Sequence, residues 1–129
     1  MSYKKIVMAI GMALLVAGCN TQPIVNITDQ PVVTAAGKPP PDDLVRNAIV
    51  RAGNASGWVM TPVSPGLVSG RLIVQDHVAV VDVRYSEKLY SITYKDSTNL
   101  KFRDGQIHKA YNAWIATLDR DVRNELLRI

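Results

Sequence analysis

The chain has a single cysteine, at position 19, directly behind an uncharged apolar run, and that placement limits what the remaining residues can build. The run, Ile6 to Val16, is eleven residues long, whereas a membrane-spanning helix needs roughly twenty. Lys4 and Lys5 precede it, and Ala17 and Gly18 set small side chains just before the cysteine. A short cationic head, an apolar stretch of this length and small residues at its end form the layout of a secretory signal, which the mature protein lacks. The only thiol then stands at the cleavage point, so no disulfide can brace the fold even in an oxidising compartment. Stability has to come from a packed core, and the residues left are enough for one small domain.

Val16-Ala17-Gly18-Cys19 resembles the lipobox of bacterial lipoproteins. The resemblance implies that signal residues 1–18 are removed, that the Cys19 thiol carries a diacylglyceryl group and that its freed amine takes a further acyl chain. One chain binds a bilayer marginally, at about 0.8 kcal/mol per buried methylene, whereas two or more hold a protein there. By the same resemblance Asn20, standing where an Asp would favour the inner membrane, points to the outer membrane, with the domain facing the periplasm. The alternative readings of Cys19 are an ordinary buried thiol and an uncleaved anchor.

Charge narrows the field of partners. The whole chain carries fifteen Lys and Arg against eleven Asp and Glu, but Lys4 and Lys5 leave with the leader. Thirteen basic residues then face eleven acidic ones, a mature balance of +2. Part of the basic character belongs to the precursor, which argues against a nucleic-acid partner, since that function needs a basic stripe.

Residues 19–41 read as the lipidated cysteine followed by a tether. Thr21 to Pro41 holds Pro23, Pro31, Pro39, Pro40 and Pro41 among polar residues without a sustained apolar period, and proline fixes φ and removes backbone donors. The competing reading is an edge strand at Ile24-Val25-Asn26-Ile27 or at Pro31-Val32-Val33. A single domain is expected over residues 42–129. Asp42 and Asp43 supply acidic groups where a helix N-terminus favours them. Leu44, Val45, Ala48, Ile49 and Ala52 follow at helical spacing until Gly53-Asn54 supplies a stop, which predicts a short amphipathic helix.

A period of two then takes over. Gly57 to Thr61 is a β-prone run closed by Pro62, Pro65 and Gly66, with Trp58 and Met60 on one face. In the next run, Leu67 to Val74, one face carries Val68, Gly70, Leu72 and Val74. The clearest alternation follows the polar turn Gln75-Asp76-His77, where Ala79, Val81, Val83 and Tyr85 oppose Val80, Asp82 and Arg84. Leu89 to Lys95 gives another strand, with Tyr90, Ile92 and Tyr94 on one face, and Leu100 and Phe102 continue it beyond a bend or bulge. Connections this short predict antiparallel neighbours. Ile107, Tyr111, Trp114, Ile115, Leu118, Val122 and Leu126 then form the longest helical stripe, opposite Lys109, Asn112, Asp119, Arg120, Arg123 and Arg128. The expectation is an α+β domain. A short N-terminal helix and a long C-terminal helix pack on an antiparallel meander of three to four strands, with Trp114 against Val81 and Val83.

Trp58-Val59-Met60, Tyr90-Ser91-Ile92-Thr93-Tyr94 with Ser97-Thr98-Asn99-Leu100, and Ile107 through Trp114 together resemble a family of small Gram-negative lipoproteins. The likeness spans most of the mature domain. It implies membership and address, and it carries over no reaction, ligand or site residue.

The polar residues offer little chemistry. His77 and His108 with Asp76 or Asp104 lack the ligand spacing of a zinc site, so no metal and no cofactor is expected. No G-x-S-x-G or comparable nucleophile motif occurs. Ser91 and Ser97 read as strand and bend residues, and Asp82 with Arg84 as a weak solvated pair. The chain is not expected to be an enzyme. The expected function is that of a membrane-anchored structural or interaction module with an envelope protein as partner. The alternative is a periplasmic binding module for a small ligand, a peptidoglycan fragment or a lysozyme-like enzyme. For either, tyrosine brings a large apolar body with a hydroxyl, and the recognition patch is expected at Tyr90, Tyr94, His108 and Asn112. The competing reading has the tyrosines at the core margin with their hydroxyls in water.

Overall fold

Ala79, Val81 and Val83, the apolar side of the cleanest alternation in the sequence, lie at the centre of the fold, fully buried. The computed structural model describes residues 20–129, so the leader and Cys19 lie outside the described residues. From Asn20 the chain forms β1 (Thr21–Pro23), β2 (Ile27–Pro31), α1 (Asp42–Ala55), β3 (Val59–Ser64) and β4 (Leu67–Val74). It continues through β5 (His77–Tyr85), β6 (Leu89–Thr98) and β7 (Gln106–His108) to α2 (Lys109–Leu126). An antiparallel sheet holds five strands in the order β2-β6-β5-β4-β3, and β1 pairs with β7 in a second, two-stranded sheet.

The α+β class and the antiparallel meander are as expected, while the strand count is higher. Val83 on β5 stands between Val68 on β4 and Ile92 on β6, and Val81 stands between Gly70 and Tyr94. Such cross-strand rows are the unit of sheet stability. Burying each of these aliphatic side chains contributes about 1.5–3 kcal/mol. On β6 the register shifts opposite Val80 and Val81, and the strand runs on through Asp96 to Thr98. The bend or bulge expected after Lys95 is therefore a bulge within the strand. Leu100 leaves the strand to enter the core, and Phe102 stays half exposed.

Both helices lie against one face of this sheet. α1 buries Val45, Ala48, Ile49 and Ala52, whereas Leu44 is exposed. Its end is a reciprocal cap, with Trp58 N–H donating to Gly53 O at 2.9 Å and Gly57 N–H to Asn54 O at 3.3 Å. Gly57 sits at φ +91°, which glycine adopts at no steric cost. Gly53 is needed for a different reason, because a Cβ there would overlap the Met60 side chain on β3. α2 begins later than its stripe suggests. Ile107 belongs to β7, and His108 is the N-cap, its Nδ1 accepting the Ala110 N–H at 3.1 Å. Arg51 Nε reaches Glu125 Oε2 at 3.2 Å and Ser56 Oγ donates to Asp121 Oδ2 at 2.5 Å, so α1 and α2 run antiparallel.

Two expectations about α2 need correction. Trp114 is half-buried at the margin of the core, and the central indole is Trp58, 3% exposed. Asp119, read as part of the solvated face, is 8% exposed.

The tether also needs correction. Residues 21–31 carry β1 and β2, and Ile24, Ile27 and Val32 pack against the core. Asn26 Oδ1 accepts the Tyr94 N–H at 3.0 Å, and Asp29 N–H donates to Ser91 Oγ at 2.9 Å. The edge-strand reading therefore holds for Ile27, and the strand continues to Pro31, where proline is tolerated on an edge. Pro40 is buried, and Pro41 O accepts the Leu44 N–H at 3.1 Å at the head of α1.

Candidate functional site

The four residues expected to border a patch do not share one surface. Tyr90 is 1% exposed on the inner face of β6. Its hydroxyl donates to Asp119 Oδ1 at 2.5 Å, and Arg123 Nε lies 3.3 Å from Asp119 Oδ2. A buried carboxylate needs such partners, since an unpaired one is costly to desolvate. Burial, together with the bond to Asp119, pushes the Tyr90 phenol well above the ordinary tyrosine range, which keeps it a neutral donor.

Tyr94, His108 and Asn112 gather instead towards the other end of α2. Tyr94 stacks on Phe102 with centroids 4.7 Å apart, meets the edge of Tyr111 at 5.7 Å and bonds Ser97 Oγ at 2.8 Å. Asn112 ties β1 to α2: its Oδ1 accepts the Val25 N–H at 3.1 Å, and its Nδ2 donates to Pro23 O at 3.0 Å. From Asn112 to Asp119 the helix rises roughly 10 Å, so Tyr90 and Asn112 serve separate networks. Each of the four carries an intramolecular duty.

The concavity with the most apolar lining was not anticipated from sequence. It is a cleft of about 230 Å³ between β2 and the last turns of α2, lined by Pro31, Val33, Leu126 and Leu127. Arg120 and Arg123 stand at the rim, held by Asp121 at 3.2 Å and Asp119 at 3.3 Å. Val33 and Leu127 are about half exposed. The legible part of this signal was the apolar end of the α2 stripe; the β2 wall was not. Other hollows, up to 490 Å³ beside Pro65 and Tyr85, open broadly to solvent.

The histidines do come together, with ring centroids 6.4 Å apart. His77 Nδ1 donates to Asn99 O at 2.7 Å, its Nε2 lies 3.6 Å from Asp76 Oδ1, and His108 Nδ1 is occupied by the cap of α2. Among the described residues no group of three or more His, Cys, Asp or Glu could hold a metal ion. Ser91 and Ser97 are bound to backbone and to Tyr94, as described above. Asp82 faces Lys95 at 3.8 Å in place of the expected Arg84, with one buried oxygen lacking a hydrogen bond. The Tyr111 hydroxyl is likewise buried and without a hydrogen-bond partner among the described residues.

Neither family models, nor curated proteins, nor solved structures gave a match to this chain. Fold and site together define a small α+β domain with a helix-backed antiparallel sheet and an apolar cleft. No helix among the described residues is long and apolar enough to cross a membrane.

Proposed function

We propose that this chain is a lipid-anchored protein of the bacterial outer membrane. Its periplasmic domain serves as a non-catalytic structural or interaction module, joined to the bilayer through Cys19 and to an envelope protein through its surface. The observation that carries the reading is the fit of leader to fold. Val16-Ala17-Gly18-Cys19 ends one residue before Asn20, whose carbonyl accepts the Lys109 N–H at 3.1 Å. A chain cut before Cys19 keeps every strand and helix described above. The resemblance to small Gram-negative lipoproteins supports the same address.

The interaction role draws its support from the surface. Ligand pockets usually measure about 300–1,000 Å³, whereas the apolar cleft is about 230 Å³. Half-exposed Val33 and Leu127 suit a side chain or two of a protein partner better than an enclosed small molecule.

In-cell photocrosslinking tests the proposal. A crosslinker at Leu127 should capture a membrane-associated envelope protein, and the wild-type chain should sediment with membranes. Replacing residues 1–19 by a cleavable signal without a lipobox should release the domain to the soluble fraction and abolish the capture. A wild-type chain already soluble in the periplasm, or a capture indifferent to the anchor, contradicts the reading.

A further inference from the structure

Asn20 leaves no slack between a lipid on Cys19 and the fold. Its carbonyl is bonded to the Lys109 N–H at 3.1 Å, and Thr21 beside it pairs with His108. Adjacent Cα atoms lie about 3.8 Å apart, so an acylated Cys19 is one peptide unit from the start of α2.

The strands and α2 define which end of the molecule this is. His108 accepts the stack of His77 at the start of β5, and its N–H donates to Leu100 O at 2.8 Å just past the end of β6. The opposite end holds the Ser86–Lys88 turn and the last turn of α2, where Val32 N–H donates to Lys88 O at 2.8 Å and Ala35 N–H to Ile129 O at 3.2 Å. α2 has eighteen residues, and at the rise of an α-helix it separates the two ends by roughly 27 Å. The nine residues of β5 span about the same length.

We propose that the end formed by Asn20, Lys101, Lys109 and the Asp76-His77 turn lies against the phospholipid headgroups, and that α2 carries the apolar cleft away from the bilayer. The proposal rests on the lipoprotein reading and adds an orientation to it. This end offers two lysines to a phosphate surface. Lys101 and Lys109 are exposed and form no ion pair among the described residues, so both ammonium groups are available to headgroups. Of the acids nearby, Asp104 is paired with Arg103 at 3.7 Å, and Asp76 lies 3.6 Å from the His77 ring. With no slack in the chain, the anchor holds this surface at the membrane, and an envelope partner meets the cleft from the far side.

The test uses the acylated protein in vesicles of phosphatidylethanolamine and phosphatidylglycerol, with a fluorophore on single cysteines and a quencher on a headgroup. Acylated Cys19 has no thiol to label, so Lys101→Cys and Lys109→Cys can be compared with Lys88→Cys and Asn124→Cys, all exposed positions. Each labelled variant is first shown to melt like the wild type. Quenching should be severalfold stronger at 101 and 109 than at 88 and 124. A Gly-Ser spacer inserted between Cys19 and Asn20 should level the four sites while the protein still floats with the vesicles. Equal quenching in floating protein without the spacer, or stronger quenching at 88 and 124, overturns the orientation and leaves the anchor standing. Protein that carries no acyl chain and does not float overturns both.

Discussion

Tyr90 and Asp119 meet hydroxyl to carboxylate, 2.5 Å apart, where β6 faces the middle of α2. Both are buried, and Arg123 holds the second carboxylate oxygen at 3.3 Å. Removing the hydroxyl strips a buried acceptor of a donor, which costs about 1–3 kcal/mol. Tyr90→Phe is expected to lower the melting temperature, by roughly 4–8 °C for each kcal/mol in a domain of this size. Thermal unfolding followed by circular dichroism checks it.

Tyr111 makes the opposite case. It is fully buried, and its hydroxyl has no hydrogen-bond partner among the described residues. Phenylalanine has the same shape without the unmet polar group. Tyr111→Phe is therefore expected to leave the melting temperature unchanged or to raise it, under the conditions in which Tyr90→Phe lowers it.

The two phenols also set a pH dependence. Burial raises both above the ordinary tyrosine range, with Asp119 adding to the effect at Tyr90 and Tyr94 at Tyr111. A group whose folded pKa lies above its unfolded value, here about 10, contributes stability that is complete below that value and is lost as pH rises beyond it. Stability is expected to fall above about pH 10, with part of the phenolate absorbance appearing only as the protein unfolds. The double variant Tyr90→Phe, Tyr111→Phe should lose that delayed fraction.

These two tyrosines also mark where the sequence stops being legible. The alternation of β4 to β6 and the stripes of α1 and α2 are local patterns, each long enough to show its period. Their faces came out as read, except at Leu44, Trp114 and Asp119. An acid flanked by arginines on a helix reads as solvated, and nothing within α2 reveals that Tyr90, on another element, buries it. β1, β2 and β7 have only three to five residues each. Their partners lie far along the chain, as Ile27 opposite Ile92 shows, so no local periodicity reports them. The patch at Tyr90, Tyr94, His108 and Asn112 rested on residue type, and the same hydroxyls, amide and imidazole serve equally well to join elements. The cleft depends on β2, so it was hidden with it.

The pairing of β2 bears directly on truncation. Deleting residues 20–37 removes two strands, takes Ile24, Ile27 and Val32 from the core margin and bares the edge of β6. A chain starting at Lys38 is expected to lose cooperative unfolding or to aggregate through the opened edge. Denaturant titration against the chain starting at Asn20 decides it, and equal stability of the two would restore the tether reading.

The two tryptophans should separate in a mutational test. Trp58 is 3% exposed in the cluster of Met60, Val68 and Leu72, whereas Trp114 is half-buried. Trp58→Ala is expected to cost about 3–5 kcal/mol, the range for emptying a buried aromatic site. Trp114→Ala should cost clearly less. Equal losses in urea unfolding would mean that Trp114 is as central as Trp58.

The central claim is that the mature chain begins as an acylated Cys19 built directly onto the fold. Intact mass and N-terminal peptide mass of protein extracted from membranes test it most directly. The account predicts that residues 1–18 are absent, that Cys19 carries a diacylglyceryl group on sulfur and an acyl chain on nitrogen, and that Asn20 follows unmodified. A chain retaining Met1, or one whose Cys19 bears a free thiol, would contradict it.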